Sequence, residues 1–429
     1  MSIYSYEQAF GQQDMTTRAM RQAIDRWFSM YYEATASDQT DPCQRIPYTV
    51  VSKLVKAVFG EYKANADTPF GNRVLAELHN KKHLALQLAL VGGACYIKPC
   101  PIGTGFSFTL VPRNQVLIFG RDTGGRPTDM GLLEKSMEGN SYYTLLERRQ
   151  VDGNGYLTIT NRLFRSRDAQ ALGVEVPLQN VSAYRNLVEQ YSFEKPIGSV
   201  GLTEMKLPML NCVDGSCDGV AIYAAAEGLI RNINQNEAQM NGEFSRGESR
   251  VFASRDLLDR EQGLQDHLFV GLDDDPEHIG ITVFSPQLRE QSYLARKQEY
   301  LRNVESLLSL KRGMLSDANV EDRTATEITA STAEYSLTVI DLQKMWQSAV
   351  EQSLGLCSLL AELYALPETK TGTVRFDWGN GNLYDQEKTW TDYMEMVSRG
   401  MLKPEVALAW RFGLAGEDEK TIREKYMPN

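Results

Sequence analysis

Two histidines, His79 and His83 in the run HNKKH, stand four residues apart in a segment of helical periodicity. At that spacing two imidazoles share one helix face and can ligate zinc. Two lysines lie between them and no glutamate is placed to act as a base, so a solvated helix face accounts for the pair better than a metal. The six cysteines, Cys43, Cys95, Cys100, Cys212, Cys217 and Cys357, are too scattered for a disulfide framework. CYIKPC and CVDGSC invite a zinc reading. Cys95 and Cys100, however, sit five apart in a predicted strand, point to opposite faces and cannot chelate together. Buried free thiols are the better account. Asp273, Asp274, Asp275 and Glu277 in DDDPEH cluster carboxylates in an order that fails the calcium-loop spacing, and a solvated acidic turn suffices. VDGNGY fails the same pattern and fits a hairpin turn. The chain has no phosphate-cradling Gly-Lys-Ser/Thr loop, no G-x-S-x-G elbow and no G-x-G-x-x-G after a strand. No metal, no cofactor and no enzymatic activity are therefore expected.

Binding chemistry is equally sparse. Arg289, Arg296, Lys297, Arg302, Lys311 and Arg312 crowd one predicted helix, but Glu290, Glu299 and Glu305 interleave with them. That pattern fits a salt-bridged exposed face better than a stripe for nucleic acid. The net charge of −11 and pI near 5.1 argue against a surface that grips phosphates. They are compatible with enclosing DNA without holding it, since like charge reduces adhesion. The opening MSIYSYEQAFGQQDM lacks a basic-then-apolar run, and no window approaches the roughly 20 apolar residues of a membrane span, so synthesis in a cytoplasm is expected.

The elements that must carry any function are more informative. At 429 residues, 42% hydrophobic and 24% charged, the chain can bury several packed units. The periodicity predicts an α+β fold, mainly helical. Met20, Ile24, Trp27, Phe28 and Tyr31 mark a first amphipathic helix, YTVVSKLVKAVFGEY a second, and GNRVLAELHNKKHLALQLALVGG a third closed by Gly92 and Gly93. ACYIKPC, FSFTLVP, NQVLIFG and a hairpin around Asp152–Gly155 then predict an antiparallel sheet packed on those helices and running to about residue 210. A polar rod follows from Asp218 to about Arg246, with Val220, Tyr223, Ala226, Ile230, Ile233 and Met240 on a stripe that Glu237 interrupts. Residues 248–288 form a compact insertion with strands expected at SRVFA, HLFVG and GITVF. A second rod returns with Leu294, Leu301, Val304 and Leu308 on one face. Gly313 stands where a C-terminal cap would fall.

The stretch SDANVEDRTATEITAS, residues 316–331, begins as an acidic aperiodic loop and ends inside a very long helix. Thr324 and Glu327 fit a capping box at its start. Apolar spacing then runs to Tyr364 before Pro367 stops it, about 40 residues or on the order of 60 Å. GTVRFDWGN is a lone strand expected to pair with the earlier sheet, and short helices close the chain.

RTATEITASTAEYSLTVIDLQKMW is similar to the T-A-T-E-[IV] segment that follows the tunnel loop in portal proteins of tailed bacteriophages, particularly the compact type of long-tailed phages. WTDYMEMVSRGMLKPEVAL resembles that family's pattern near its C-terminus, and the order of elements resembles it over nearly the whole chain. The resemblance implies a portal-type fold. Its parts would be a wing of helices plus antiparallel sheet (1–217), stem helices (218–247 and 289–312), a small α/β clip (248–288), a tunnel loop (313–323), a long wing helix and strand (324–382) and a short helical crown (383–429). It implies a homo-oligomeric ring of twelve subunits at one capsid vertex of the virion. Double-stranded DNA would pass through the channel during packaging and ejection without sequence specificity. The implied partners are the terminase large subunit, the head–tail adaptor and the major capsid and scaffolding proteins, and no membrane. Ser316, Asp317, Asn319, Glu321, Asp322 and Arg323 would line the tunnel. Ile230, Ile233, Met240, Leu301, Val304 and Leu308 would pack the stem, and the turn Asp273–Glu277 would belong to the clip. The rival reading is a non-enzymatic helical scaffold or capsid-associated interaction protein of small oligomeric state.

Overall fold

The computed structural model describes residues 3–32, 42–246, 250–254, 269–272, 281–284, 288–317, 325–379, 386–412, 420 and 422–423. The chain opens with α1 (Ile3–Phe10), α2 (Arg18–Tyr32) and α3 (Ile46–Phe59). On α2, Met20, Ile24, Trp27, Phe28 and Tyr31 are all buried, as their spacing requires. A short strand β1 (Lys63–Ala66) precedes α4 (Pro69–His79) and α5 (Lys82–Gly92). Those two helices correct the single helix expected over 71–93. Asn80 closes α4 by donating its backbone N–H to Ala76 and Leu78, and the path restarts at Lys82. Thr68 caps α4 by accepting from the Gly71 amide at 3.0 Å, with Pro69 in the first turn. Gly93 ends α5 in the left-handed region at φ 80°, where a Cβ would lie 2.2 Å from the Gly219 carbonyl oxygen.

The expected single sheet is two. β2 (Ala94–Ile102) pairs with β3 (Gly105–Pro112) on one side and β10 (Thr203–Lys206) on the other. A larger sheet runs β4 (Val116–Arg121), β5 (Pro127–Glu138), β6 (Ser141–Val151), β7 (Leu157–Ser166), β8 (Val174–Val176), and β9 (Gln190–Ser192) also pairs with β7. Every pair in both sheets is antiparallel. The hairpin between β6 and β7 turns where expected: Asp152 Oδ1 accepts the amides of Asn154 and Tyr156, and Gly155 takes φ 85°.

The rod expected from Asp218 starts later, as α6 (Glu227–Arg246). Val220, Ala221, Ile222 and Tyr223 are consecutively buried, which one helix face cannot do. They cross the core in irregular backbone instead, with the Ile222 amide donating to the Leu90 carbonyl. The insertion holds β11 (Arg250–Ser254), β12 (Phe269–Leu272) and β13 (Ile281–Phe284). β11 lies in the centre, parallel to β12 and antiparallel to β13. The return helix is α7 (Glu290–Leu307), followed by the 39-residue α8 (Ala325–Leu363). β14 (Val374–Asp377) does not join either large sheet; it pairs antiparallel with β1 as a two-stranded ribbon. α9 (Gln386–Ser398) and α10 (Pro404–Phe412) then pack on each other through Tyr393 and Trp410, ring centroids 5.1 Å apart.

One apolar cluster joins α2, α3, α4, α5, α6, α7 and α8. Helices α6 and α7 are thus rooted in the body core through Ile230, Ile233, Leu301, Val304 and Leu308. On α8, Leu342, Trp346, Val350, Leu354, Cys357 and Ala361 are buried there, whereas Leu337 is 62% and Ile340 41% exposed. The helix rises about 58 Å in all; its C-terminal half is buried in that core, while Tyr335 and Val339 pack against it from the half before.

Candidate functional site: the helix pair and the segment after it

The sequence-predicted side chains fall into three groups. Ile230, Ile233, Leu301, Val304 and Leu308 are buried together, while Met240 is half-buried and Leu294 is exposed. Asn319, Glu321, Asp322, Arg323 and Thr324 lie outside the described residues, as do Asp273, Asp274, Asp275 and Glu277. Ser316 and Asp317 are described, and they differ sharply: Ser316 is buried and Asp317 exposed.

Beyond its apolar root the helix pair is held by polar contacts. Buried Asn236 donates through Nδ2 to the Tyr293 carbonyl at 3.1 Å. Lys297 Nζ lies 2.9 Å from Glu237 and 2.8 Å from Gln44 Oε1, which explains why a glutamate interrupts the apolar stripe of α6. At the far end Glu243 accepts from the side chain and the amide of Arg289, and these bonds hold its carboxyl down to about 2. The basic face of α7 is therefore partly spent on ion pairs with α6. Arg296 donates to the Tyr300 hydroxyl of its own helix.

Hydrogen bonds hold the segment after α7 along residues 309–317. α7 ends at Leu307 in a Schellman turn: Leu310 donates to the Glu305 carbonyl and Ser309 to that of Ser306, with Ser309 in the left-handed region at φ 49°. Leu308 is the cap and Ser309, not the expected Gly313, is the left-handed residue that ends the helix. Glu305 is fully buried, and its carboxylate accepts from the amides of Gly313, Leu315 and Ser316 and from the Ser316 hydroxyl at 2.5 to 3.2 Å. Lys53 on α3 donates to the Met314 carbonyl, and Gln298 Oε1 accepts the Asp317 amide at 2.8 Å. The sequence reading put Glu305 among solvated charges. The signal was its register, since 301, 304, 305 and 308 share one helix face.

The other candidates are structural. His79 and His83 fall on separate helices. His79 Nε2 meets the Tyr62 hydroxyl at 2.9 Å, and burial together with the Lys82 charge lowers its pKa to about 4. His83 stacks edge-on against Phe59. Of the cysteines expected to be buried thiols, Cys95 and Cys357 are buried, and burial pushes both thiols up, whereas Cys43 and Cys100 are half-buried and Cys212 and Cys217 are exposed. Among the described residues no three His, Cys, Asp or Glu side chains gather as a metal site, and no helix is long and apolar enough to cross a membrane. An open cleft of about 840 Å³ lies between α8 and β10; its charged lining is mixed, with Arg126, Lys206 and Lys344 facing Asp122, Glu204 and Asp341.

Comparison with known proteins finds similarity to solved structures alone. No family model and no curated protein matches the chain. Among solved structures, it is similar to a chain in the neck of a native GTA particle computed with C12 symmetry, at 11% identity over 92% of this chain and 94% of that one, TM-score 0.47. It is also similar to a chain in the neck of an empty GTA particle computed with C6 symmetry, at 11% identity over 92% and 98%, TM-score 0.47.

Proposed function

We propose that this chain is the subunit of a portal-type head-to-tail connector: a closed homo-oligomeric ring, twelve-membered by the family resemblance, through which double-stranded DNA enters and leaves a virion. The observation that carries the reading is the path of the chain. An antiparallel helix pair, α6 and α7, leaves a helix-plus-sheet body, bears a small three-stranded sheet at its far end, and returns into a short segment followed at once by a 39-residue helix. That order is the one the T-A-T-E resemblance implies for stem, clip, tunnel loop and wing helix.

The physical logic is mechanical, and the proposed role needs no catalytic group. A ring needs rigid spokes to hold many loops at one radius. α8, embedded along its C-terminal half, is such a spoke. The acidic residues Asp317, Glu321 and Asp322 between α7 and α8 would repel the duplex and let it slide, because each retained phosphate contact adds to binding. The body, insertion and C-terminal helices would meet capsid, terminase and adaptor proteins.

Imaging of the purified 48.3 kDa protein by negative-stain microscopy tests this directly. The expected result is annular particles with an axial hole and a mass on the order of half a megadalton. Compact monomers or dimers under every condition would overturn it in favour of a helical scaffold.

A further inference from the structure

Glu305 has no part in the apolar packing around it, and a buried carboxylate is costly unless its oxygens are hydrogen-bonded. Here both are. Oε1 takes the amides of Leu315 and Ser316, and Oε2 takes the Gly313 amide at 3.2 Å and the Ser316 hydroxyl at 2.8 Å. All four donors are neutral groups from one four-residue stretch, so the charge serves to gather that stretch onto α7. The backbone is shaped for it: left-handed residues at Ser309 and Gly313 fold the chain back, and Met314 donates to the Lys311 carbonyl between them. Leu308 and Leu310 are buried below the carboxylate. Two further contacts come from outside the stretch, Lys53 to the Met314 carbonyl and the Asp317 amide to Gln298.

We propose that Glu305 is a positioning residue: a carboxylate latch that fixes residues 313–316 to the root of the helix pair, so that the acidic segment leading to α8 departs from a set point at Asp317. The latch itself rests on the geometry alone. Its consequence for DNA, that every subunit of a ring presents this segment at the same radius, rests on the connector reading.

Glu305→Gln keeps the size but turns one acceptor into a donor that faces amide N–H groups. Amide hydrogen exchange of the full-length protein should then rise about ten-fold or more over 313–317, because hydrogen bonds to a charged group are lost there. Exchange over α2 and α3 should stay as in the unmodified protein. Unchanged exchange over 313–317, or a uniform rise across the whole body, would overturn the latch. Should the variant not fold, Ser316→Ala removes one donor and Gln298→Ala the neighbouring acceptor; faster exchange confined to 313–317 in these supports the latch, and no change overturns it. In particles carrying Glu305→Gln, rings should assemble while DNA retention falls. Local exchange that rises without any effect on packaging or retention keeps the latch and counts against the connector reading.

Discussion

Glu147 shows how single side chains set the limits of this fold. It lies almost fully buried between Arg149 of its own strand and Lys98 of β2, so that the Lys98 pair bridges the two sheets; its oxygens meet Lys98 Nζ and Arg149 Nε at 2.5 Å. Burial alone would raise its pKa, but the two cations bring it from an ordinary 4.5 down to about 2. Because the folded value is the lower one, this carboxylate stabilises the protein above pH 4.5 and loses that contribution as pH falls through about 2. The contribution is roughly 3 kcal/mol. Glu147→Gln should cost about 3 kcal/mol at neutral pH, by leaving buried Arg149 and half-buried Lys98 uncompensated, and should flatten the acid limb of a denaturation series. A second prediction concerns Ala365. The end of α8 is a Schellman turn in which Leu366 donates to the Ala361 carbonyl and Ala365 to that of Glu362, with Ala365 at φ 49°. Glycine is free of the Cβ penalty there, so Ala365→Gly should raise stability by about 0.5–1 kcal/mol in a denaturant titration. Residue roles were the least legible part of the sequence. The apolar stripes were plain, but the partner of Glu237 depends on which helix lies opposite and those of Glu305 on how the chain folds back after α7, and periodicity carries neither.

At the scale of elements the sequence spoke more clearly, and its errors have definite causes. The three short strands of the insertion and the long helix appear where spacing and punctuation put them, and both rods form within narrower bounds than expected. The helix expected over 71–93 broke because Asn80 caps one turn, although the apolar spacing runs on through the break. The start of α6 was misread because VAIY at 220–223 mimics helical spacing while every one of its residues is buried. Val304 is wholly enclosed where α7 meets the body, so Val304→Asp with Leu308→Asp should break helix pairing and, under the ring reading, abolish ring formation; unchanged rings by negative stain would contradict that packing. The exposed side of α8 makes a separable prediction. Leu337 and Ile340 are exposed in the protomer, and under the ring reading a neighbouring copy covers them. Leu337→Lys with Ile340→Lys should leave circular dichroism unchanged and shift the assembly towards monomer in light scattering.

For the whole molecule, the connector reading predicts a division of labour between assembly and DNA handling. Deleting residues 317–322 should leave annular particles intact while impairing packaging or retention, measured as genome content per particle; a mutant that packages and retains normally would count against the segment's role. The one long-range pairing that the sequence misplaced has its own consequence. β1 lies near the start of the chain, yet its partner in the ribbon is β14, and Thr373 donates to Asp67 306 residues away. Thr68 likewise donates to the carbonyls of Lys370 and Thr371. A nascent polypeptide therefore cannot finish its first domain until almost all of it has left the ribosome. Closing that clasp late leaves every shorter fragment with an unpaired β1 edge, open to strand pairing with other chains.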